Sequence, residues 1–313
     1  MSLYKIIKPL GFHFHNLISK SKLFSRIYID LLGDICHILP NNSINKRILN
    51  SINSVQWVNF QLKHRTVQLG NNITFQLIPH LHEFDSEAIV TKYVTYEQEV
   101  FAYLETSISE YDSVIEIGGN VGIFSLFFYE AFLKYHKNPS KIFIFEPSQS
   151  AYLRLLENLQ INSANQIQTY NCAVGDEIGF LDFFEPQGHL TNGSLNKEFA
   201  QLFSSDISHN KALVINGNYL SHLVSEGERI LVKIDVEGSE VEVLSGMKEF
   251  IFLKKPTLII EVLSTYQDKL NTLTFLHENY YFYNLTKDGL IQYDEFEATQ
   301  FRDYILLPKQ EKN

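Results

Sequence analysis

Acidic side chains end several short apolar runs of the sequence, at positions where a doubly wound α/β sheet would bind a ligand. Glu116 ends one run and precedes a glycine-rich turn, and Glu146 ends the next run, thirty positions later. Asp235 and Glu237 follow a further run. In such sheets the ligand crevice lies at the carboxyl ends of the strands. Carboxylates there accept hydrogen bonds from amino and hydroxyl groups and can act as general bases.

The turn after Glu116 contains Gly118, Asn120 and Gly122. Glycines let the backbone turn sharply and approach a ligand closely. The spacing departs from the dinucleotide pattern Gly-x-Gly-x-x-Gly, because position 120 is Asn and position 123 is Ile. A carboxylate at 116 would repel a pyrophosphate but suits a ligand with an amino group. The alternative to a ligand-binding turn is an ordinary tight turn that only connects a strand to a helix.

Two further segments have the chemistry of a nucleoside site. The two oxygens of Glu146 can accept both hydroxyls of a ribose. Its alternative role is that of a solvated acid at a helix N-terminus, and the adjacent glycine turn favours the ribose interpretation. In the stretch 171–176, small residues around Ala173 leave room for the edge of a flat adenine. The alternative to an adenine site is that residues 176–179 only form a turn.

The densest group of charges lies between Lys233 and Glu240. With a strand period of two, Lys233, Asp235 and Glu237 project to one side. A lysine inside a central strand is costly unless it is paired, so we predict a buried Lys233–Asp235 pair. Glu237 and Glu240 have the alternative role of complementing the N-terminus of the following helix.

The elements that position these residues follow from short apolar runs that alternate with helical stretches. The predicted strands are 113–117, 141–145, 167–172, 230–235 and 257–262, and the predicted helices are 122–135, 148–161, 240–250 and 266–279. Parallel strands need crossovers of this length, so the pattern predicts a doubly wound sheet. Two runs at 281–285 and 290–293 flank a turn, and a last strand at 304–307 closes the sheet with antiparallel strands. We expect the stretch 185–212 to form a loop over the strand ends.

The first part of the chain has a different pattern. Residues 1–60 predict short helices with breaks at Pro9 and Pro40, and alternating apolar residues around 70–72 predict a β-hairpin. Residues 85–108 predict a helix with one apolar side. We therefore expect an N-terminal helical appendage with a hairpin over 1–80 and a Rossmann-like domain over 81–313.

Charge is distributed unevenly along the 313 residues. Residues 1–65 carry nine Lys or Arg and two acids, a net of +7, which leaves 17 bases and 34 acids, a net of −17, for the remainder. The acidic body argues against nucleic acid as a partner. A solvated appendage is the favoured interpretation of the basic segment, and contact with an anionic membrane surface is the alternative.

We find no run that would span a bilayer and no signal peptide, and the two cysteines form no disulfide framework, so a cytoplasmic, reducing compartment is expected.

Several motifs together resemble one family. They are E-I-G-G-N-V-G from position 116, F-E-P-S from 145, N-C-A-V-G-D from 171, and V-K-I-D-V-E-G-S-E from 232 with L-S-G-M and P-T-L-I-I-E-V after it. This series resembles the FkbM family of S-adenosylmethionine-dependent methyltransferases over about residues 85–265. In that family the first turn commonly begins with Asp, where this chain has Glu116. The resemblance implies a class I methyltransferase sheet of seven strands, mostly parallel, with an antiparallel last strand.

The resemblance implies S-adenosylmethionine as the cofactor and methyl transfer to a hydroxyl, often on a sugar or other secondary metabolite. Glu116 or nearby carbonyls would bind the amino group, and N–H groups around Gly118, Asn120 and Gly122 the carboxylate. Glu146 would hold the ribose, and the Ala173 stretch the adenine.

The acceptor hydroxyl must lose a proton, and three residues are candidate general bases: Asp235, Glu237 and His189. A Mg²⁺-assisted variant with Asp235, Glu237 and Glu261 ranks low, because acids commonly end neighbouring strands without a metal. Two alternatives from other classes remain, a nicotinamide-dependent oxidoreductase and a non-catalytic cofactor-binding protein. The missing dinucleotide spacing counts against the first.

Overall fold

The structure, a computed structural model, describes residues 18–38, 43–58, 60–70, 72–188 and 192–309. The predicted breaks at Pro9 and Pro40 and the candidate base His189 lie outside these residues. The chain divides into two compact units, Met1–Tyr96 and Glu97–Asn313.

The described part of the first unit contains two helices and a hairpin. These are α1 (Lys22–Ile38), α2 (Ser43–Asn53), β1 (Arg65–Leu69) and β2 (Ile73–Leu77). The hairpin forms as predicted, with Val67 opposite Phe75. Ile89 and Val90 pack in one apolar core with Ile29 and Ile52 of the two helices. Because that core extends to Val90, this unit ends after Tyr96 and not after residue 80.

The predicted helix over 85–108 is broken. A 3₁₀ turn, Phe84–Ile89, is followed by a non-helical segment, and the helix α3 covers only Gln98–Ser107. The Glu87 carboxylate accepts hydrogen bonds from the Thr95 backbone N–H and hydroxyl group. These side-chain bonds compete with helical hydrogen bonds and hold the intervening residues out of a helix.

The second unit is an α/β structure. Its described strands are β3 (Ser113–Ile117), β4 (Ile142–Phe145), β5 (Gln168–Tyr170), β6 (Ala173–Gly175), β7 (Gly179–Pro186), β8 (Ile207–Asn216), β9 (Ile230–Ile234), β10 (Thr257–Glu261), β11 (Tyr280–Thr286), β12 (Gly289–Tyr293) and β13 (Asp303–Pro308). Its described helices are α4 (Ile123–Lys134), α5 (Gln149–Ile161), α6 (Lys197–Ala200), α7 (Glu240–Gly246), α8 (Lys248–Lys254), α9 (Gln267–Asn271) and α10 (Thr274–Asn279).

Eight of these strands form the main sheet in the order β12-β11-β13-β10-β9-β3-β4-β5. The five strands from β10 to β5 are parallel, and β13 pairs antiparallel with both β10 and β11. The doubly wound, mostly parallel sheet with an antiparallel last strand is therefore confirmed. The edge strand β12 is one more than the seven expected, and it belongs to the hairpin that the turn at 287–289 predicts. The strands β3, β4 and β9 are buried along their whole length, as is typical of a parallel sheet covered on both faces.

A smaller sheet, β6-β8-β7, corrects the expected loop over 185–212 and the expected single strand over 167–172. The strand β5 ends at Tyr170, and β6 joins the second sheet. Both β7 and β8 expose large apolar side chains, including Phe180 and Leu213, so they lack the clean polar alternation of a half-buried strand. The predicted helices 240–250 and 266–279 are each divided into two. Among the helices that the structure describes, none combines the length and apolar character needed to cross a bilayer.

Candidate active site

The glycine-rich turn connects β3 to α4 and lies directly against the end of β9. Gly118 has φ 92° and Gly122 has φ 90°, a backbone conformation that side chains with a Cβ rarely adopt. A Cβ added to Gly118 would lie 1.8 Å from the Asp235 backbone oxygen. The Asp235 N–H donates to the Ile117 oxygen at 3.0 Å. The first turn and the Asp235 segment are therefore brought together, as the strand-end argument predicts.

The N–H groups of this turn donate within the chain. Those of Gly118 and Gly119 donate to the Phe145 oxygen at 2.9 and 3.0 Å, and that of Gly122 donates to the Gly119 oxygen at 2.9 Å. The Asn120 N–H donates to Glu146 Oε2 at 2.8 Å. These hydrogen bonds fix the shape of the turn, and donation from the turn to a ligand carboxylate stays a prediction.

Glu146 follows β4 and connects the turn to the next strands. Its Oε1 accepts the Ser148 N–H at 2.7 Å, and its Oε2 accepts the Asn120 N–H. Burial raises the pKa of Glu146 to about 7, against the lowering effect of these two donors. A carboxylate has about four lone-pair directions, so two acceptor positions remain. The Asn171 side chain donates to the Glu146 backbone oxygen at 2.8 Å, which places the segment that leads into the buried Ala173 beside Glu146.

Glu116 does not lie open to a ligand, contrary to the expectation. Its side chain is only 2% exposed and accepts the Ser125 hydroxyl at 2.7 Å. In the sheet it is the parallel neighbour of Lys233. Burial raises the pKa of Glu116 to about 8, although Ser125 and Lys233 act to lower it. Because successive side chains of a strand alternate between the two faces of the sheet, Glu116 lies on the face that packs against α4, where it contacts Ser125. Binding of an amino group by Glu116 or by nearby carbonyls stays a prediction.

Lys233 forms the buried ion pair that the sequence predicts. Its Nζ lies 2.9 Å from Asp235 Oδ2, 3.9 Å from Glu97 Oε2, and 4.1 Å from the centre of the Phe124 ring. Burial acts to lower the pKa of Lys233, but the Asp235 and Glu97 carboxylates raise it above its ordinary value. The lysine is therefore charged and holds Asp235 in a fixed position at the end of β9.

Further carboxyl groups surround this pair. Glu261 is the antiparallel neighbour of Asp303, and Arg302 lies 3.5 Å from Glu261. Burial raises the pKa of Glu237, Glu261 and Asp303, and repulsion from neighbouring carboxylates raises each further. Within the described ranges, no set of three or more His, Cys, Asp or Glu side chains is arranged to hold a metal ion.

Sequence reasoning missed Glu97 and Asp303. Glu97 precedes α3 with φ 38°, in the segment wrongly assigned to a longer helix. Asp303 begins β13, and an antiparallel strand begins at the edge where its parallel neighbours end. That topological rule, applied to the predicted last strand, would have placed Asp303 beside Glu261.

Glu237 lies in a strained backbone conformation with φ 55° and is contacted by the segment 192–196. The Ser194 hydroxyl donates to the Glu237 backbone oxygen at 2.8 Å, and the Asn192 side-chain amide lies 3.5 Å from Oε1. Ser194 also exchanges backbone hydrogen bonds with Phe184 of β7. Glu240, by contrast, accepts the Gly238 and Val236 N–H groups, which lie in the turn before α7.

The strand order, the acid-led glycine turn between β3 and α4, and Glu146 after β4 define a Rossmann-like class I methyltransferase fold. Residues 116–283 match the family model of the methyltransferase FkbM domain. The chain therefore belongs to the FkbM methyltransferase family.

The chain is similar to two curated fungal proteins. Methyltransferase 1 of Beauveria bassiana (strain ARSEF 2860) is 26% identical over 178 residues, which cover 52% of this chain and 69% of that protein. Methyltransferase sdnD of Sordaria araneosa is 27% identical over 161 residues, which cover 44% of this chain and 60% of that protein. A solved FkbM methyltransferase from Methylobacillus flagellatus KT aligns with TM-score 0.41 and 16% identity, over 63% of this chain and 43% of its own.

Proposed function

We propose that this chain transfers a methyl group from S-adenosylmethionine to a hydroxyl group on a sugar, a glycolipid or a secondary metabolite. The observation that carries the proposal is the Glu146 carboxylate. It is buried beside the glycine turn, anchored by two backbone N–H groups, and retains acceptor positions. A ribose with both hydroxyls free supplies two donors of matching chemistry.

The donor set around Glu146 fits a nucleoside with an uncharged ribose. Glu146 would hold the two hydroxyls, and the Asn171–Ala173 segment, tied to the Glu146 backbone, would border the base. A phosphorylated ribose is disfavoured, because Glu146, Glu185 and Asp235 carry like charge in one neighbourhood. This charge also argues against the pyrophosphate of a nicotinamide dinucleotide.

The residues at the end of β9 are suited to receiving a proton. When bound, S-adenosylmethionine supplies an activated methyl group on a sulfonium. Asp235, fixed by Lys233, and Glu237, with a pKa raised by burial, are the two candidate bases for the acceptor hydroxyl. Either carboxylate would accept the proton of the acceptor hydroxyl, so that the hydroxyl oxygen could take the methyl group as the carbon–sulfur bond breaks and its electron pair stays with the sulfur. The Asn192–Ser194 segment against Glu237 would border the acceptor.

A labelled-methyl assay tests this proposal. The protein is incubated with S-adenosylmethionine carrying a labelled methyl group and with extracts of metabolites and glycolipids. Mass spectrometry then searches for products heavier by one methyl group.

We expect label in a hydroxyl-bearing product, a large loss of turnover in Asp235→Asn with cofactor binding retained, and little change in the control Glu226→Gln, an exposed acid before β9. Cofactor binding without any methylated product would favour the non-catalytic alternative. Binding of NAD in place of S-adenosylmethionine would favour the oxidoreductase.

A further inference from the structure

One side of α1 exposes a row of large apolar side chains, which we call the α1 apolar face. Between 45% and 85% of each side chain is exposed. The members are Leu23, Phe24, Ile27, Leu31, Ile35 and Ile38. At about 100° per residue they fall within roughly one third of the helix circumference. Contiguous exposed apolar surface of this kind marks an interaction site.

The orientation of α1 is fixed by its buried side, which consists mainly of small residues. Ser25, Ile29, Gly33 and Cys36 are buried. A Cβ on Gly33 would lie 2.4 Å from Arg65 Nη2 and 2.6 Å from the Ile89 oxygen, so the helix approaches its neighbours too closely for a larger residue. The large apolar residues therefore face outward because the inner side cannot accept them.

The segment that carries the α1 apolar face is basic. Exposed Lys and Arg side chains lie before α1, in its first turns and on α2. They are Lys20, Lys22, Arg26, Lys46 and Arg47. Up to residue 82 the sequence contains only two acids, Asp30 and Asp34. Both are ion-paired with the buried Arg65, and Asp34 also lies 3.1 Å from Lys63. The two acids of this segment are thus paired, and its net charge is positive.

We propose that the α1 apolar face docks on an anionic lipid surface. A helix of this length, about 25 Å, would lie in the plane of the interface with its apolar side among the acyl chains and its basic residues near the headgroups. Charge complementarity favours this occupant. A second copy would bring two positively charged segments together, and residues 1–17 carry Lys5 and Lys8 with no acid. The proposal is independent of the chemistry proposed for the second unit.

Vesicle sedimentation with the full chain tests the proposal. One set of vesicles contains phosphatidylcholine alone, and the other contains phosphatidylcholine and phosphatidylglycerol at about 2:1. We expect binding to the anionic vesicles that weakens with added salt. The double variant Phe24→Ser/Leu31→Ser should bind at least about tenfold more weakly, because two apolar anchors are removed. The control Ile178→Ser, at a residue 77% exposed in the second unit, should bind like the wild type.

A second variant pair keeps the test independent of the first. Lys22→Gln and Arg26→Gln should each weaken binding to anionic vesicles about fivefold and leave the circular dichroism spectrum unchanged. Equal binding to both kinds of vesicle, or no binding to either, would overturn the proposal. So would a lipid-free dimer, seen in sedimentation velocity, that Phe24→Ser/Leu31→Ser dissociates, because that result assigns the face to a second copy.

Discussion

Replacing the buried Glu116 by Gln should stabilise the protein at alkaline pH and have much less effect in acid. Gln has the same shape and keeps an oxygen that can accept the Ser125 hydroxyl. Burial raises the pKa of Glu116 from 4.5 to about 8. Between these values the folded protein binds more protons than the unfolded chain, so the free energy of unfolding of the wild type falls as the pH rises.

The magnitude follows from the two pKa values. Each pKa unit corresponds to about 1.4 kcal/mol. Relative to a group with an unshifted pKa, the raised pKa of Glu116 lowers the free energy of unfolding by about 1 kcal/mol at pH 5.5 and by about 4–5 kcal/mol at pH 8.5. The stability advantage of Glu116→Gln over the wild type should therefore grow by about 3 kcal/mol between these two pH values.

Urea denaturation of both proteins at the two pH values measures this difference. Comparing the variant with the wild type cancels the contribution of other titrating groups. One of these is Glu228: burial acts to raise its pKa, but hydrogen bonds from Lys141 and Ser113 lower the pKa to about 2. The control Glu226→Gln should show no growth of the difference. A difference between Glu116→Gln and wild type that is the same at both pH values would refute the argument that this carboxyl is ionised at a cost.

Two further substitutions test the packing beneath the site. Gly118→Ala should lower the free energy of unfolding by about 2 kcal/mol or more, because the added Cβ would collide with the Asp235 backbone oxygen. The control Gly188→Ala should lower it by only about 1 kcal/mol, because Gly188 also has a positive φ but open space around it. Equal losses in urea denaturation would mean that backbone conformation alone matters. Lys233→Met should cost about 3–5 kcal/mol at neutral pH in the same measurement, because it leaves the Asp235 carboxylate without its cation. A loss below about 1 kcal/mol would show that the ion pair contributes little to stability.

The sheet and its order of elements follow from local patterns in the sequence. The runs at 113–117 and 230–235 are short, apolar and bounded by turn residues, and the turn at 287–289 separates two apolar segments. Such signals are local, and they identified the strands β3, β9, β11 and β12. The second sheet was missed, because β7 and β8 carry exposed apolar residues whose alternation gives no clear period.

The site is only partly predictable for a different reason. Asp235 and the glycine turn are brought together by strand ends, which chain order alone can indicate. The burial of Glu116 and the internal bonding of the Gly118 N–H depend on distances between strands, which a sequence does not give. Glu97 lies near Lys233 because the chain leaves the helical conformation before α3, and the sequence pattern over 85–108 did not show that break.

Calorimetric titration with S-adenosylmethionine tests the central claim most directly. The wild type should bind S-adenosylmethionine and its demethylated product, and it should not bind NAD. Glu146→Ala should raise the dissociation constant about a hundredfold, because two hydroxyl groups lose a charged acceptor at roughly 1.5 kcal/mol each. Glu226→Ala should bind as the wild type does. A Glu146→Ala protein that folds and binds S-adenosylmethionine with unchanged affinity would contradict the account.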